Sequence, residues 1–306
     1  MLRAARRALV GLLATIGALT LLVTVGGALA GWWYLQRSAQ LPARVLLTAD
    51  WRTSMGEAPG PPDFLALELR PAPTVSDTVL ALDAAAADPR VAGLLVRLAE
   101  TSHGLAVAQE LRDAVRRFRA AGKFAVAHAD TFGELGPGNE GYYLATAFEA
   151  IELQPVGLVG LTGIAAQVPL ARDLLAGLGV ELELVRRAEY KSALESLTER
   201  ELSAPNRDQI EALLDAVSEQ LVRGVAEGRR LRPGEVRALI DRGPLTGEEA
   251  RAAGLVDAVR YADEARAEAL GRAGDDAQTV DLADYAALSS PPPRPAATVA
   301  LVRAAG

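Results

Sequence analysis

The sequence predicts an α/β domain in which strands alternate with helices on a parallel sheet. Three observations carry that class. A helix starts at Thr74, with Asp77 three residues on and Val75, Val79 and Leu82 as its buried stripe. Val91 to Leu98 is a continuous apolar run that reads as a strand. Leu105 to Ala121 is a helix stopped by Gly122, and it leads into a second strand, Phe124 to Ala129. Strands and helices at this spacing mark right-handed βαβ units.

Composition sets the outer limits. The chain has 306 residues, enough for one large domain or two modest ones with a proper core. Aromatics make up only 5%, so alanine, leucine and valine must fill that core. A net charge of −7 argues against a nucleic-acid partner, which would need a basic face. There is no cysteine, which excludes cysteine peptidases, thiolate zinc sites and disulfides.

Taken in order, residues 1–35 read as a basic N-terminus and a transmembrane anchor. Arg3, Arg6 and Arg7 precede an uncharged run from Ala8 to Leu29, and Trp32-Trp33-Tyr34 follows where an interfacial belt would sit. A basic start places the N-terminus in the cytoplasm and the rest of the chain across the membrane. The rival is a cleaved signal peptide ending at Ala28-Leu29-Ala30, with an apolar region unusually long for one. Residues 36–62 read as a connector with one short apolar run, Val45-Leu46-Leu47.

The α/β domain is expected over residues 63–288, opening on a strand at Phe64 to Leu69. Beyond the first βαβ units come a short helix from Tyr142 to Phe148, a strand from Ala150 to Leu153 and a helix from Pro169 to Leu178. Glu181 to Arg186 alternates and reads as a strand. Ser203 caps the strongest helix, with Pro205 in its first turn and Ile210, Leu213, Leu214, Val217, Leu221, Val222 and Val225 on one face. Smaller helices follow at Pro233–Ile240, Gly247–Ala253 and Ala262–Gly271. Residues 289–306 hold a proline-rich linker and a lone strand, Thr298 to Arg303, which reads as the start of a truncated second half.

The candidate catalytic residue is Lys191, between Tyr190 and Ser192 in a polar loop after the alternating run. A lysine covered at a strand end is a potential general base, because burial disfavours its ammonium form. Against that, most lysines are solvated, and Glu189 or Glu195 can pair with this one. Gly136-Pro137-Gly138-Asn139-Glu140-Gly141 matches G-x-G-x-x-G but lacks the strand immediately before it and the long helix after it, so it predicts no nucleotide site. His103 reads as a loop residue without function beside a helix N-terminus, and His128 as a core residue. Two isolated histidines give no metal site, and no cofactor is expected.

Arg187-Ala188-Glu189-Tyr190-Lys191-Ser192-Ala193-Leu194-Glu195, with Leu202 to Arg207, Gly141 to Ala145, Val159 to Gly163 and Ala253 to Asp257, resembles the signal peptide peptidase A family in its long form, protease IV. These are membrane-anchored bacterial serine peptidases that use a Ser/Lys dyad. The resemblance implies a crotonase/Clp-protease-like ββα superhelical fold, a homo-oligomer at the bacterial inner membrane, and apolar peptide substrates such as cleaved signal peptides. It assigns the base to Lys191. Asn139 stands where short relatives place the nucleophilic serine, so the serine is expected beyond Gly306 and the fragment alone is expected to be inactive. Ser192 is rejected as nucleophile because neighbouring side chains point apart. Only Gly104 stands where the family has a glycine pair, which weakens any oxyanion role for that loop. The alternatives are an inactive scaffold of the same fold and an acyl-CoA enzyme of the crotonase superfamily.

Overall fold

A computed structural model of the chain describes residue 17 and residues 19–27, 41–58, 73–100, 103–134 and 136–289. Most of the expected anchor, the Phe64 to Leu69 strand and residues 290–306 lie outside the described residues. Gly17 and residues 19–27 are helical and exposed, and among the described residues no helix is long and apolar enough to cross a membrane.

Six parallel strands form the central sheet, in the order β7 (Ala258–Val259), β4 (Ala150–Leu153), β3 (Phe124–Ala129), β2 (Val91–Leu98), β1 (Val45–Asp50) and β8 (Gln278–Asp281). The first half of the chain lays down β1 (Val45–Asp50), α1 (Val75–Ala87), β2 (Val91–Leu98), α2 (Leu105–Ala120), β3 (Phe124–Ala129), α3 (Asn139–Ala145) and β4 (Ala150–Leu153). Each of these strands pairs with the next, always stepping the same way across the sheet. Right-handed crossovers that all step one way put α1, α2 and α3 on one face. There Leu47, Leu82, Leu94, Val96, Leu111, Val115 and Phe118 form the main core. Thr74 makes the expected capping box with Asp77. Gly122 ends α2 with φ of 84°, a conformation that costs glycine little.

One boundary is corrected. Val45-Leu46-Leu47, assigned to the connector of residues 36–62, belongs to β1, an inner strand between β2 and β8. All three side chains are fully buried. A strand covered on both faces is continuously apolar and lacks the alternation that flags a half-exposed one. The folded unit therefore includes residues ahead of position 63.

The second half adds β5 (Leu158–Val159), α4 (Arg172–Gly177), α5 (Glu195–Thr198), α6 (Ala204–Arg229), α7 (Pro233–Arg242), β6 (Leu245–Thr246), α8 (Gly247–Ala252), β7 (Ala258–Val259), α9 (Ala262–Ala273), β8 (Gln278–Asp281) and α10 (Leu282–Leu288). Helix α9 covers the other face of the sheet, over Leu46, Leu95, Phe124 and Val126.

Between Leu161 and Leu221 the chain leaves this core as an arm. Glu181 to Arg186, expected as a strand, is irregular and has no pairing partner among the described residues. Alternation alone cannot hold a strand whose backbone groups and both faces meet solvent. The arm helix α4 is shorter than the expected Pro169 to Leu178. In α6 the apolar stripe splits: Leu221, Val222 and Val225 are buried in the core, whereas Leu213, nearer the N-terminus, is 65% exposed.

Candidate functional site: the lysine loop and the Asn139 root

Lys191 sits in an exposed loop of the arm, with Tyr190 half-exposed beside it. The expected cover from a preceding strand is missing, because residues 181–186 form none. Among the described residues the Lys191 ammonium has no hydrogen bond or ion pair, and its backbone N–H reaches the Ala188 carbonyl at 3.4 Å. Val185, 97% exposed, and Leu194 stand with Tyr190 around it as an uncovered apolar collar.

Neither Glu189 nor Glu195 forms an ion pair with it. Glu195 is fully buried and turned to Arg186, whose Nη1 lies 2.5 Å from its carboxylate. Glu189 is exposed and has no ion pair among the described residues. Composition adds a further signal for Lys191. Of the 32 lysine and arginine residues, only Lys123 and Lys191 are lysines. Lys123 donates to the Asp88 and Val91 carbonyls at 2.7 and 2.6 Å, a structural task. Lysine differs from arginine in that its amine can be neutral, whereas guanidinium stays protonated.

Asn139 opens α3 and is nearly buried. Its Nδ2 donates to the Gly163 carbonyl at 2.6 Å, and its Oδ1 accepts from the Thr162 N–H at 3.1 Å. The amide thus pins the root of the arm where it departs from the core. Gly141 lets α3 pack this closely, because a Cβ there would stand 2.3 Å from the Ala99 carbonyl oxygen. Asn139→Ala is expected to cost about 1–3 kcal/mol, the scale for leaving buried partners unmade. Thermal unfolding of the variant checks it, with a lowered melting temperature as the expected result.

Both histidines serve the fold. His103 Nε2–H donates to the Trp51 carbonyl at 2.9 Å, and its Nδ1 accepts from the Met55 N–H at 3.4 Å. Its backbone N–H donates to Glu140, so this loop N–H is not free for an oxyanion. His128 lies in a polar row across the sheet, in register with Arg97 on β2 and Glu152 on β4. Its Nε2–H donates to the Arg260 carbonyl at 3.1 Å. Burial pushes both imidazoles below their usual pKa, against weaker opposing effects of their carbonyl partners.

The sign of the consequence is fixed. The unfolded chain, with histidines near 6.5, binds more protons than the fold, so the histidine contribution to stability falls as pH drops below that value. Glu152, pushed up by burial, works in the opposite direction as it protonates. The comparison that isolates His103 is its Gln variant, which keeps a donor for Trp51. Between pH 7 and 5 the wild type is expected to lose more melting temperature than His103→Gln.

The chain belongs to peptidase family S49, whose family model matches residues 118–278. That span contains α3, the arm and Lys191. Its relatives are of the SPPA type. Serine protease SPPA, chloroplastic, of Arabidopsis thaliana is 28% identical over 59% of this chain and 26% of its own length. Protease 4 of Haemophilus influenzae is 28% identical over 51% of this chain and 25% of its own. The chain therefore spans about a quarter of the length of these relatives. Among solved structures, ThnE from S. clavuligerus is similar at 12% identity and a TM-score of 0.34, covering 66% of this chain and 75% of that one, too distant to bear on the fold.

Proposed function

We propose that this chain is the base-bearing part of a membrane-anchored serine peptidase of the signal peptide peptidase type. Lys191 accepts the proton of a serine Oγ supplied from outside residues 1–306. The alkoxide attacks the scissile carbonyl, and the lysine returns the proton to the leaving amine. An acyl-enzyme forms and water hydrolyses it. The fold class offered with this reading is the crotonase/Clp-protease-like superhelix. Its substrates are apolar peptides, cleaved signal peptides among them, and it works as a homo-oligomer on the extracytoplasmic side of the inner membrane.

The observation that carries this reading is the Lys191 ammonium, unpaired among the described residues and ringed by exposed apolar side chains. A base must be largely neutral at working pH, and burial is what favours the neutral amine. A second body docked over Val185, Tyr190 and Leu194 supplies that cover and, with it, the nucleophile. The same uncovered lysine favours a second reading, an inactive scaffold, if no such body exists. Hydrolysis of an apolar fluorogenic peptide separates the two. The complete protein is expected to cleave it, the 1–306 fragment is not, and Asn139→Ala in the complete protein is expected to stay within roughly a few-fold of wild type. A complete protein that cleaves nothing supports the scaffold.

A further inference from the structure

In the arm, described residues 162–220 bury almost nothing, with two exceptions: Glu195 and Asn206. They bond to each other, Asn206 Nδ2 donating to Glu195 Oε2 at 2.9 Å. A fully buried carboxylate in so exposed a segment needs a reason, because desolvating it is costly unless every lone pair is met.

Here they are met. Glu195 Oε1 accepts from Arg186 Nη1 at 2.5 Å and from Ser203 Oγ at 2.8 Å. Oε2 accepts from Ser203 Oγ at 3.0 Å, from the Ser203 N–H at 3.3 Å and from Asn206. Ser203 is the N-cap of the 26-residue α6, so the carboxylate also faces the positive end of a long helix dipole. Arg186 and Glu195 are the residues immediately before and after 187–194, the loop that holds Lys191. Their ion pair closes the loop at its base, and Glu195 fastens that base to the start of α6. The Ser192 Oγ accepts from Gln209 Nε2 on α6 at 3.3 Å, a second tie. Ala188 within the loop has φ of 65°, a strained value for alanine that persists only where surroundings enforce it.

The geometry points to Glu195 as a positioning residue: through Arg186, Ser203 and Asn206 it fixes the loop that presents Lys191 to the nucleophile. This rests on the assignment of Lys191 as the base. A carboxylate fits this site best, because Arg186, the Ser203 N–H and the Asn206 amide NH₂ that reach Glu195 can only donate, and a glutamine NH₂ facing them would find no acceptor except the Ser203 hydroxyl. Guanidinium at Arg186 holds the carboxyl well down, to about 2, with Ser203 and Asn206 adding to the effect. The clamp is therefore ionised throughout the neutral range.

The test uses the complete protein and the variants Glu195→Gln, Arg186→Gln and Lys191→Ala. Peptide hydrolysis gives kcat and KM, and amide hydrogen exchange reports on residues 187–194. Both clamp variants are expected to lower kcat roughly 10- to 100-fold, the scale of a reacting group displaced by about 1 Å, with KM little changed. Exchange in 187–194 is expected to quicken by about tenfold while β2 and β3 keep their protection. If Glu195→Gln does not fold, Arg186→Gln decides the question from the more exposed side of the same pair. A folded clamp variant with wild-type kcat overturns the proposal, provided Lys191→Ala is inactive, and so does unchanged exchange in the loop. Full activity of Lys191→Ala instead overturns the base assignment itself, and the positioning role with it.

Discussion

Lys191→Ala is expected to remove nearly all peptidase activity from the complete protein, and Lys191→Arg is expected to do the same. Loss of a catalytic group is worth of order 10³ or more in rate. The arginine variant keeps charge, reach and hydrogen-bonding capacity but cannot shed its proton. In residues 1–306 the side chain is exposed and has no hydrogen bond among the described residues, so both substitutions are expected to leave the melting temperature of that chain within about a degree or two of wild type. That separation of activity from stability is the mark of a chemical role. Peptide hydrolysis beside a thermal melt checks it, and an active arginine variant would mean that the lysine never needs to be neutral.

Arg112→Met is expected to have the largest effect on stability. The side chain is 1% exposed and lies at the junction of α2, α3 and α6. Its Nη1 donates to the Tyr143 carbonyl and the Thr146 hydroxyl, and its Nη2 reaches the Gly224 carbonyl at 3.4 Å. The guanidinium also stacks 3.8 Å from the Tyr143 ring centroid. A cation at the C-terminal end of α3 is favourable for the helix dipole, and it shares the Tyr143 and Gly224 carbonyls with the Thr146 hydroxyl. Burial holds its pKa down, to about 10, so it remains charged at neutral pH. Methionine fills much of the volume but removes the guanidinium bonds to the Tyr143 carbonyl and the Thr146 hydroxyl, at about 1.5–3 kcal/mol for each hydrogen bond to a charged group. A total near 3–4 kcal/mol corresponds to roughly 6–16 °C in a domain of this size. Calorimetry or a dye-based melt checks it.

Sequence legibility follows how each element is stabilised. Helices with local caps were readable: Thr74 with Asp77, and Ser203 before Pro205, satisfy their own N-termini. Strands β2, β3 and β4 were readable because apolar runs sit between turn signals. β1 was missed because its three leading apolar residues look like a chance cluster until a neighbour is known on each side. The Glu181 to Arg186 run misled for the opposite reason, since its alternation had no sheet to join. Lys191 is singled out by its neighbours in sequence and by the scarcity of lysine elsewhere, with Lys123 the other one. What the sequence could not display is the use of Glu195, which looked like a rival for Lys191 and instead closes the loop that carries it. The Asn139 contact with Thr162 and Gly163 was hidden in the same way, because it joins residues more than twenty positions apart.

The proposed division puts the base in this chain and the nucleophile outside it. The most direct measurement is reaction of the complete protein and of the 1–306 fragment with a serine-directed fluorophosphonate, followed by peptide mapping. The complete protein is expected to be labelled at one serine outside residues 1–306, with labelling largely lost in Lys191→Ala, and the fragment is expected to stay unlabelled. Labelling of Ser192 or any other serine within 1–306 would place the nucleophile in this chain, and undiminished labelling of the Lys191→Ala protein would show that Lys191 is not its base.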